Sequence, residues 1–184
     1  MTNPDTFDDL PIKARASLQK LSDLVVGTRP IDTKSWRFFT NGLSEQTAII
    51  NEVSQWASKG YIYLYIIELV AQPYNISDLK EAFSEAKNTK RNDRAYARLN
   101  SDNISVCLYV GSSRGLPGRL KQHLGYGHKD TFALQLAHWA STFDLELEIQ
   151  CAKYQLGQSA AVYQILEDIL WEQMSPMFGR KGMK

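Results

Sequence analysis

Apolar residues return at three- and four-residue steps at the start of the chain. Leu10, Ala14, Leu18, Leu21 and Val25 mark one face of an amphipathic helix over residues 8–27, which Gly27 stops. A turn-rich connection containing Pro30 and Gly42 follows. Ile49, Val53 and Trp56 then form a second stripe, predicting a helix over residues 45–58 with Ser44 as N-cap and Gly60 beyond its end. Residues 1–59 are therefore expected to form an N-terminal helical lobe.

The period changes at Tyr61. Residues 61–70 are β-branched and aromatic between helix breakers, which predicts a central strand. Residues 104–110 form a second such run, ended by Gly111, and residues 145–151 alternate apolar with polar, as a strand wet on one face does. Helical stretches are predicted over 117–124 and 131–141, and another from Ser159 to about Met174, followed by Pro176. Residues 72–103 interrupt the first two strands. Within them Ser77 is read as the cap of a helix through Leu79, Ala82 and Phe83. The expected fold is α+β: a small, largely antiparallel three-stranded sheet flanked by helices over residues 60–184, carrying an insertion at 72–103 and preceded by the helical lobe.

Composition narrows the function classes. The 184 residues are 43% hydrophobic, enough for a packed core, and the formal net charge is +1. That balance excludes a uniformly basic nucleic-acid coat but not a local basic face. Such a face is suggested by Lys87, Lys90, Arg91, Arg94 and Arg98, which crowd together with one acid, Asp93, among them. These five are candidate contacts to a DNA backbone. Cys107 and Cys151 stand far apart in apolar, strand-like stretches, so they read as buried free thiols rather than zinc ligands. No signal-peptide pattern opens the chain. The longest apolar run, 61–71, contains Glu68 and falls short of the roughly 20 residues of a membrane helix. A soluble, cytoplasmic protein without a membrane partner is expected.

One segment carries a more specific signal. Leu108-Tyr-Val-Gly-Ser-Ser-Arg-Gly-Leu-Pro-Gly-Arg-Leu-Lys-Gln-His123 resembles the second half of the GIY-YIG nuclease signature: a strand ending in Tyr109-Val110-Gly111, then a helix presenting Arg119 and, four residues on, His123. Tyr61-Ile62-Tyr63 is similar to the first half, with Tyr in place of the family's Gly. Glu167, on a predicted helix before Pro176, resembles the late acid. The gap between the two tyrosine motifs is longer than in the family, Gly179 stands where the family commonly has Asn, and Ser112 and Ser113 follow the second motif where a Lys is common.

The resemblance implies a divalent-metal-dependent endodeoxyribonuclease acting on double-stranded DNA, with the catalytic set Tyr63, Tyr109, Arg119, His123 and Glu167. In that scheme Glu167 holds one Mg²⁺ or Mn²⁺ per active site and Arg119 clamps the phosphate. Tyr63 activates water, Tyr109 positions water or phosphate, and His123 passes a proton or holds the phosphate. A short chain without a separate DNA-binding module points to a type II restriction enzyme, with a homodimer on DNA as one route to double-strand cleavage. The alternatives are a structure-specific repair-type nuclease, or a derived DNA-binding or interaction protein with weak or no cleavage. Singly, the tyrosines also read as strand aromatics, and Arg119 with His123 as a solvated helix face. Trp36, Phe38 and Phe39, beside Lys34 and Arg37, read either as core or as base-stacking residues.

Overall fold

The structure is a computed structural model that describes residues 9–71, 75–100 and 102–182; the side chains of Leu43 and Ser44 lie outside that description. Its elements in chain order are α1 (Leu10–Gly27), β1 (Asp32–Phe39), α2 (Leu43–Trp56), β2 (Tyr61–Leu69), α3 (Ile76–Asn88), β3 (Cys107–Ser113), α4 (Leu116–Leu124), β4 (Glu146–Gln155) and α5 (Ala160–Met174). The class is α+β, as the alternation of periods implies.

The sheet differs from expectation. It has four antiparallel strands in the order β1-β4-β2-β3, not three. The additional strand is β1, which lies within the turn-rich connection and pairs along β4 with Trp36 opposite Ile149 and Phe38 opposite Leu147. The described part of the expected lobe over 1–59 is thus not a helical lobe standing apart, because its residues 32–39 supply an edge strand of the central sheet. Trp36 and Phe38 alternate inward and are buried, which settles them as core, whereas Phe39 is partly exposed. The helix predicted over 131–141 is also absent. Only a single 3₁₀ turn, Leu136–His138, forms there, because Gln135 enters it in the left-handed region and Trp139 leaves helical geometry.

The two faces of the sheet carry different layers. Phe38, Ile149, Cys151, Tyr65 and Ile67 belong to the main core together with α2 (Ile49, Ile50, Val53), α3 (Leu79, Phe83) and α4 (Leu116, Leu120, Leu124). On the opposite face α5 packs against β3, and α1 rests on α5 with no buried residue of its own. Cys107 and Cys151 are buried free thiols, as read, and burial pushes each thiol up to about 12.

The segment 72–103 is built into the core. Leu79, Phe83 and Ala86 of α3 are fully buried, and Phe83 packs on Tyr96, Trp139 and Phe178. Its helix is capped by Asn75, whose side chain accepts from the Ser77 amide, rather than by Ser77 itself. In α2 the N-cap position belongs to Gly42; the Ser44 side chain lies outside the described residues. Among the described residues, no helix is long and apolar enough to cross a membrane.

Candidate active site

Strand β3 lies at the edge of the sheet, with α5 packed against it. From one face comes Arg119 on α4, and from the other Glu167 on α5. Between them, with Tyr109 of β3, lies a cavity of about 530 Å³. That volume falls within the roughly 300–1,000 Å³ typical of ligand sites. Lys87, Tyr96, Arg98, Phe132, Gly179 and Arg180 complete most of its wall.

Arg119 is the hub. Its Nε donates to the Tyr65 hydroxyl at 3.2 Å, and its Nη2 to the Tyr109 hydroxyl at 2.9 Å and to the Phe132 carbonyl at 3.1 Å. Nη1 donates to Gln122 Oε1 at 2.8 Å. Burial works against the guanidinium charge, but the oxygens of Tyr65 and Tyr109 outweigh it and hold the group above its ordinary range. The result is a fixed, permanently charged fork on the cavity wall.

Tyr63 is not part of this site, contrary to the sequence reading. Its ring is buried against Trp56, and its hydroxyl accepts from the Ser58 amide at 2.8 Å and donates to the Ser58 carbonyl at 3.2 Å. The strand tyrosine that reaches Arg119 is Tyr65, two residues later on the same face. Register explains the choice: Tyr65 lies opposite Gly111, whereas Tyr63 lies opposite Ser113. A Cβ at Gly111 would come within 2.8 Å of both the Tyr65 hydroxyl and the Tyr109 ring. The glycine of the Tyr109-Val110-Gly111 motif therefore makes room for both phenols, whose rings stack with centroids 6.2 Å apart.

His123 is fully buried behind these rings. Its Nδ1 accepts from the Leu134 amide at 3.3 Å, which places the proton on Nε2, 3.1 Å from the Tyr65 hydroxyl. Burial and the nearby Arg119 charge hold its pKa well below the ordinary imidazole value, so it is neutral. It is not among the residues of the cavity wall. His123 thus positions Tyr65 rather than meeting a phosphate. Burial, followed by Tyr109, pushes the Tyr65 phenol upward, so it too stays neutral at physiological pH.

Glu167 does reach the cavity, and its Oε2 accepts from the Ser112 hydroxyl at 2.6 Å. Ser112 is a contact that the sequence reading did not assign. Burial raises the Glu167 carboxyl above its ordinary range, Asp168 adds to the rise, and Ser112 and Arg119 oppose it. Asp168 itself is turned aside, accepting from Gln164 Nε2 and from the Gly182 amide. Among the described residues no group of three or more His, Cys, Asp or Glu side chains is gathered for a metal. One half-buried carboxylate on the cavity wall is a ligand that a hard cation such as Mg²⁺ accepts, the ion taking its remaining ligands from water and substrate oxygens.

Gly179 has φ +103°, and a Cβ there would fall 2.9 Å from the Tyr109 ring. The position where the resemblance expects Asn is thus backbone packed on a phenol, with no space for a longer side chain beside that ring.

The basic run divides in two. Lys87 and Arg98 line the cavity. Arg91 instead donates to the His138 carbonyl and pairs with Glu85, each at 3.2 Å, and Arg94 donates to the Gly127 carbonyl at 3.0 Å and to Gln135 at 3.2 Å. Those two arginines fasten the segment to the body, and Lys90 is exposed in the left-handed region. Arg180, which sequence reasoning passed over, joins Lys87 and Arg98 in the wall. Comparison with known proteins gives no matching family model, no matching curated protein and no matching solved structure.

Proposed function

We propose that the chain is a metal-dependent DNA endonuclease of the GIY-YIG type that hydrolyses phosphodiesters in the cavity at the β3 edge. The observation that carries this reading is the convergence of Tyr109, Arg119 and Glu167, from one strand and two helices on opposite faces, onto one cavity of about 530 Å³.

Phosphodiester hydrolysis needs the anionic phosphate held, a water aimed at phosphorus, and the developing negative charge stabilised. Arg119 attracts the phosphate with a charge already fixed in space, so little reorganisation accompanies the reaction. The Tyr109 hydroxyl, oriented by Arg119 Nη2 at 2.9 Å, lies on the cavity wall and orients the attacking water, whereas the other wall phenol, Tyr96, donates to the Arg91 carbonyl. Tyr65 and His123 lie behind and keep Arg119 and the Tyr65 ring in place. Glu167, steadied by Ser112, would hold one Mg²⁺ or Mn²⁺, which supplies Lewis-acid stabilisation of phosphate and leaving oxygens. Compared with the catalytic set implied by the resemblance, Tyr65 takes the place of Tyr63, and His123 becomes a positioning residue.

One such cavity cuts one strand, so double-strand cleavage, as by a type II restriction enzyme, needs two copies or two encounters. Incubation of supercoiled, unmodified plasmid with the purified chain tests the reading. Nicked or linear product is expected with Mg²⁺ or Mn²⁺ and none with EDTA. Plasmid left intact under both metals would remove the nuclease assignment.

A further inference from the structure

Four cationic side chains line the cavity, Lys87, Arg98, Arg119 and Arg180, against one carboxylate, Glu167. Arg119 is engaged by two tyrosines, a glutamine and a carbonyl. The other three come from separate parts of the chain: the last turn of α3, the extended segment after it, and the C-terminal tail. Among the described residues, the ion pairs include none of the three. Burial, and then the charges of Arg180 and Arg98, lower the Lys87 ammonium, so the three cations repel one another. An anion among them would relieve that repulsion.

The tail carrying Arg180 is held at several points. The Met177 and Phe178 amides donate to the Cys107 and Leu108 carbonyls, each at 2.9 Å, lying along β3. The Gly179 amide donates to the Arg98 carbonyl at 2.8 Å, which joins the two arginine-bearing segments directly. Beyond Arg180, Lys181 pairs with Glu172, and the Gly182 amide donates to Asp168 at 2.9 Å. Arg180 is thus bracketed by anchored neighbours. Arrays of cations in a concave wall beside a phosphate clamp are how proteins follow a nucleic-acid backbone.

We propose that Lys87, Arg98 and Arg180 form a second phosphate subsite in this cavity, which grips the phosphate adjoining the one held by Arg119 on the same DNA strand. The subsite rests on the nuclease reading for the neighbouring position. It makes a polynucleotide, with successive phosphates, the substrate class, and a mononucleotide a poor one. Asp168 serves it as a positioning residue by holding the tail.

The test is the salt dependence of binding to a short fluorescent duplex in EDTA, read by anisotropy for wild type and the Lys87→Ala/Arg98→Ala/Arg180→Ala variant. Loss of one neutralised phosphate makes the slope of log K against log salt shallower by about 0.9. Asp168→Ala gives a smaller change in the same direction, and Arg15→Ala, on exposed α1, gives none. Thermal melts confirm that each variant is folded. An unchanged slope in the triple variant overturns the subsite, even where the wild type cuts DNA. A shallower slope in a protein that never cuts supports the subsite and removes the catalytic reading instead. Absence of any binding by wild type at low salt overturns both.

Discussion

Arg119→Ala is expected to lower the proposed metal-dependent DNA cleavage by roughly 10³–10⁵-fold, the range found when an arginine that stabilises a phosphoryl transition state is removed. Two properties of the site make the loss this large. The guanidinium is mostly buried, and the Tyr65 and Tyr109 hydroxyls, Gln122 and the Phe132 carbonyl hold four of its five N–H groups, so its charge is fixed in place before substrate arrives. It is also the group that orients the only cavity-wall phenol of the proposed set, so its removal releases Tyr109 as well. Arg119→Lys separates charge from geometry. The ammonium keeps the positive charge but lacks the planar fork, so it cannot hold both phenols and a phosphate together. It is expected to recover only a minor part of the lost rate. Single-turnover rates on a short duplex, with melting curves to confirm folding, provide the measurement. An Arg119→Ala enzyme within tenfold of wild type would exclude Arg119 as the clamp.

Glu167→Gln is expected to remove the proposed metal-supported cleavage, on the order of a 10³-fold loss, because the several kcal/mol of Lewis-acid stabilisation would depend on a carboxylate to hold the ion. The same substitution has an opposite effect on folding. Burial raises the Glu167 carboxyl in the folded chain above its unfolded value. The folded state therefore binds this proton more tightly, and the stability linked to it is fully present below the unfolded pKa. It is lost as pH rises through the folded pKa. Glutamine carries no such charge and can still accept from Ser112. Without metal, Glu167→Gln is thus expected to melt higher than wild type at pH 7 and at a similar temperature at pH 4. A variant that is inactive yet more stable is the pattern of a group retained for chemistry. Reduced stability at pH 7 would show that the carboxylate is a structural anchor.

Elements with strong periodicity were legible in the sequence, including α1, β2, α4, β4 and α5. Strand β1 was not, because only Trp36 and Phe38 of its eight residues alternate inward. Its remaining residues, Asp32, Thr33, Lys34, Ser35, Arg37 and Phe39, are exposed on an edge strand, and polar residues after Pro30 read as a turn. The stretch 131–141 carries helix-like apolar spacing, yet Leu134 spends its amide on His123 and Gln135 turns into the left-handed region. Tertiary bonds there override local preference.

At the site, Tyr109, Arg119 and Glu167 were singled out by the resemblance to the GIY-YIG signature, and all three line one cavity. The choice between Tyr63 and Tyr65 could not, because both lie on one strand face with the same period. Only register against Gly111 separates them. The basic run misled in a similar way, since counting charges cannot distinguish an arginine that binds a carbonyl, such as Arg94, from one that lines a cavity, such as Arg98. Arg180 was illegible because its place depends on tail bonds to Cys107, Leu108, Arg98 and Asp168, all distant in sequence.

The most direct measurement compares metal-dependent DNA cleavage by wild type, Tyr109→Phe and Tyr63→Phe. Removing the Tyr109 hydroxyl is expected to slow cleavage by about 10²–10⁴-fold, as loss of a group that handles the reacting water does. Removing the Tyr63 hydroxyl leaves the rate within a few-fold and takes about 0.5–1.5 kcal/mol from stability through the lost Ser58 bonds. Equal activity in Tyr109→Phe and wild type, or a Tyr63→Phe protein that is folded but inactive, would contradict the site described.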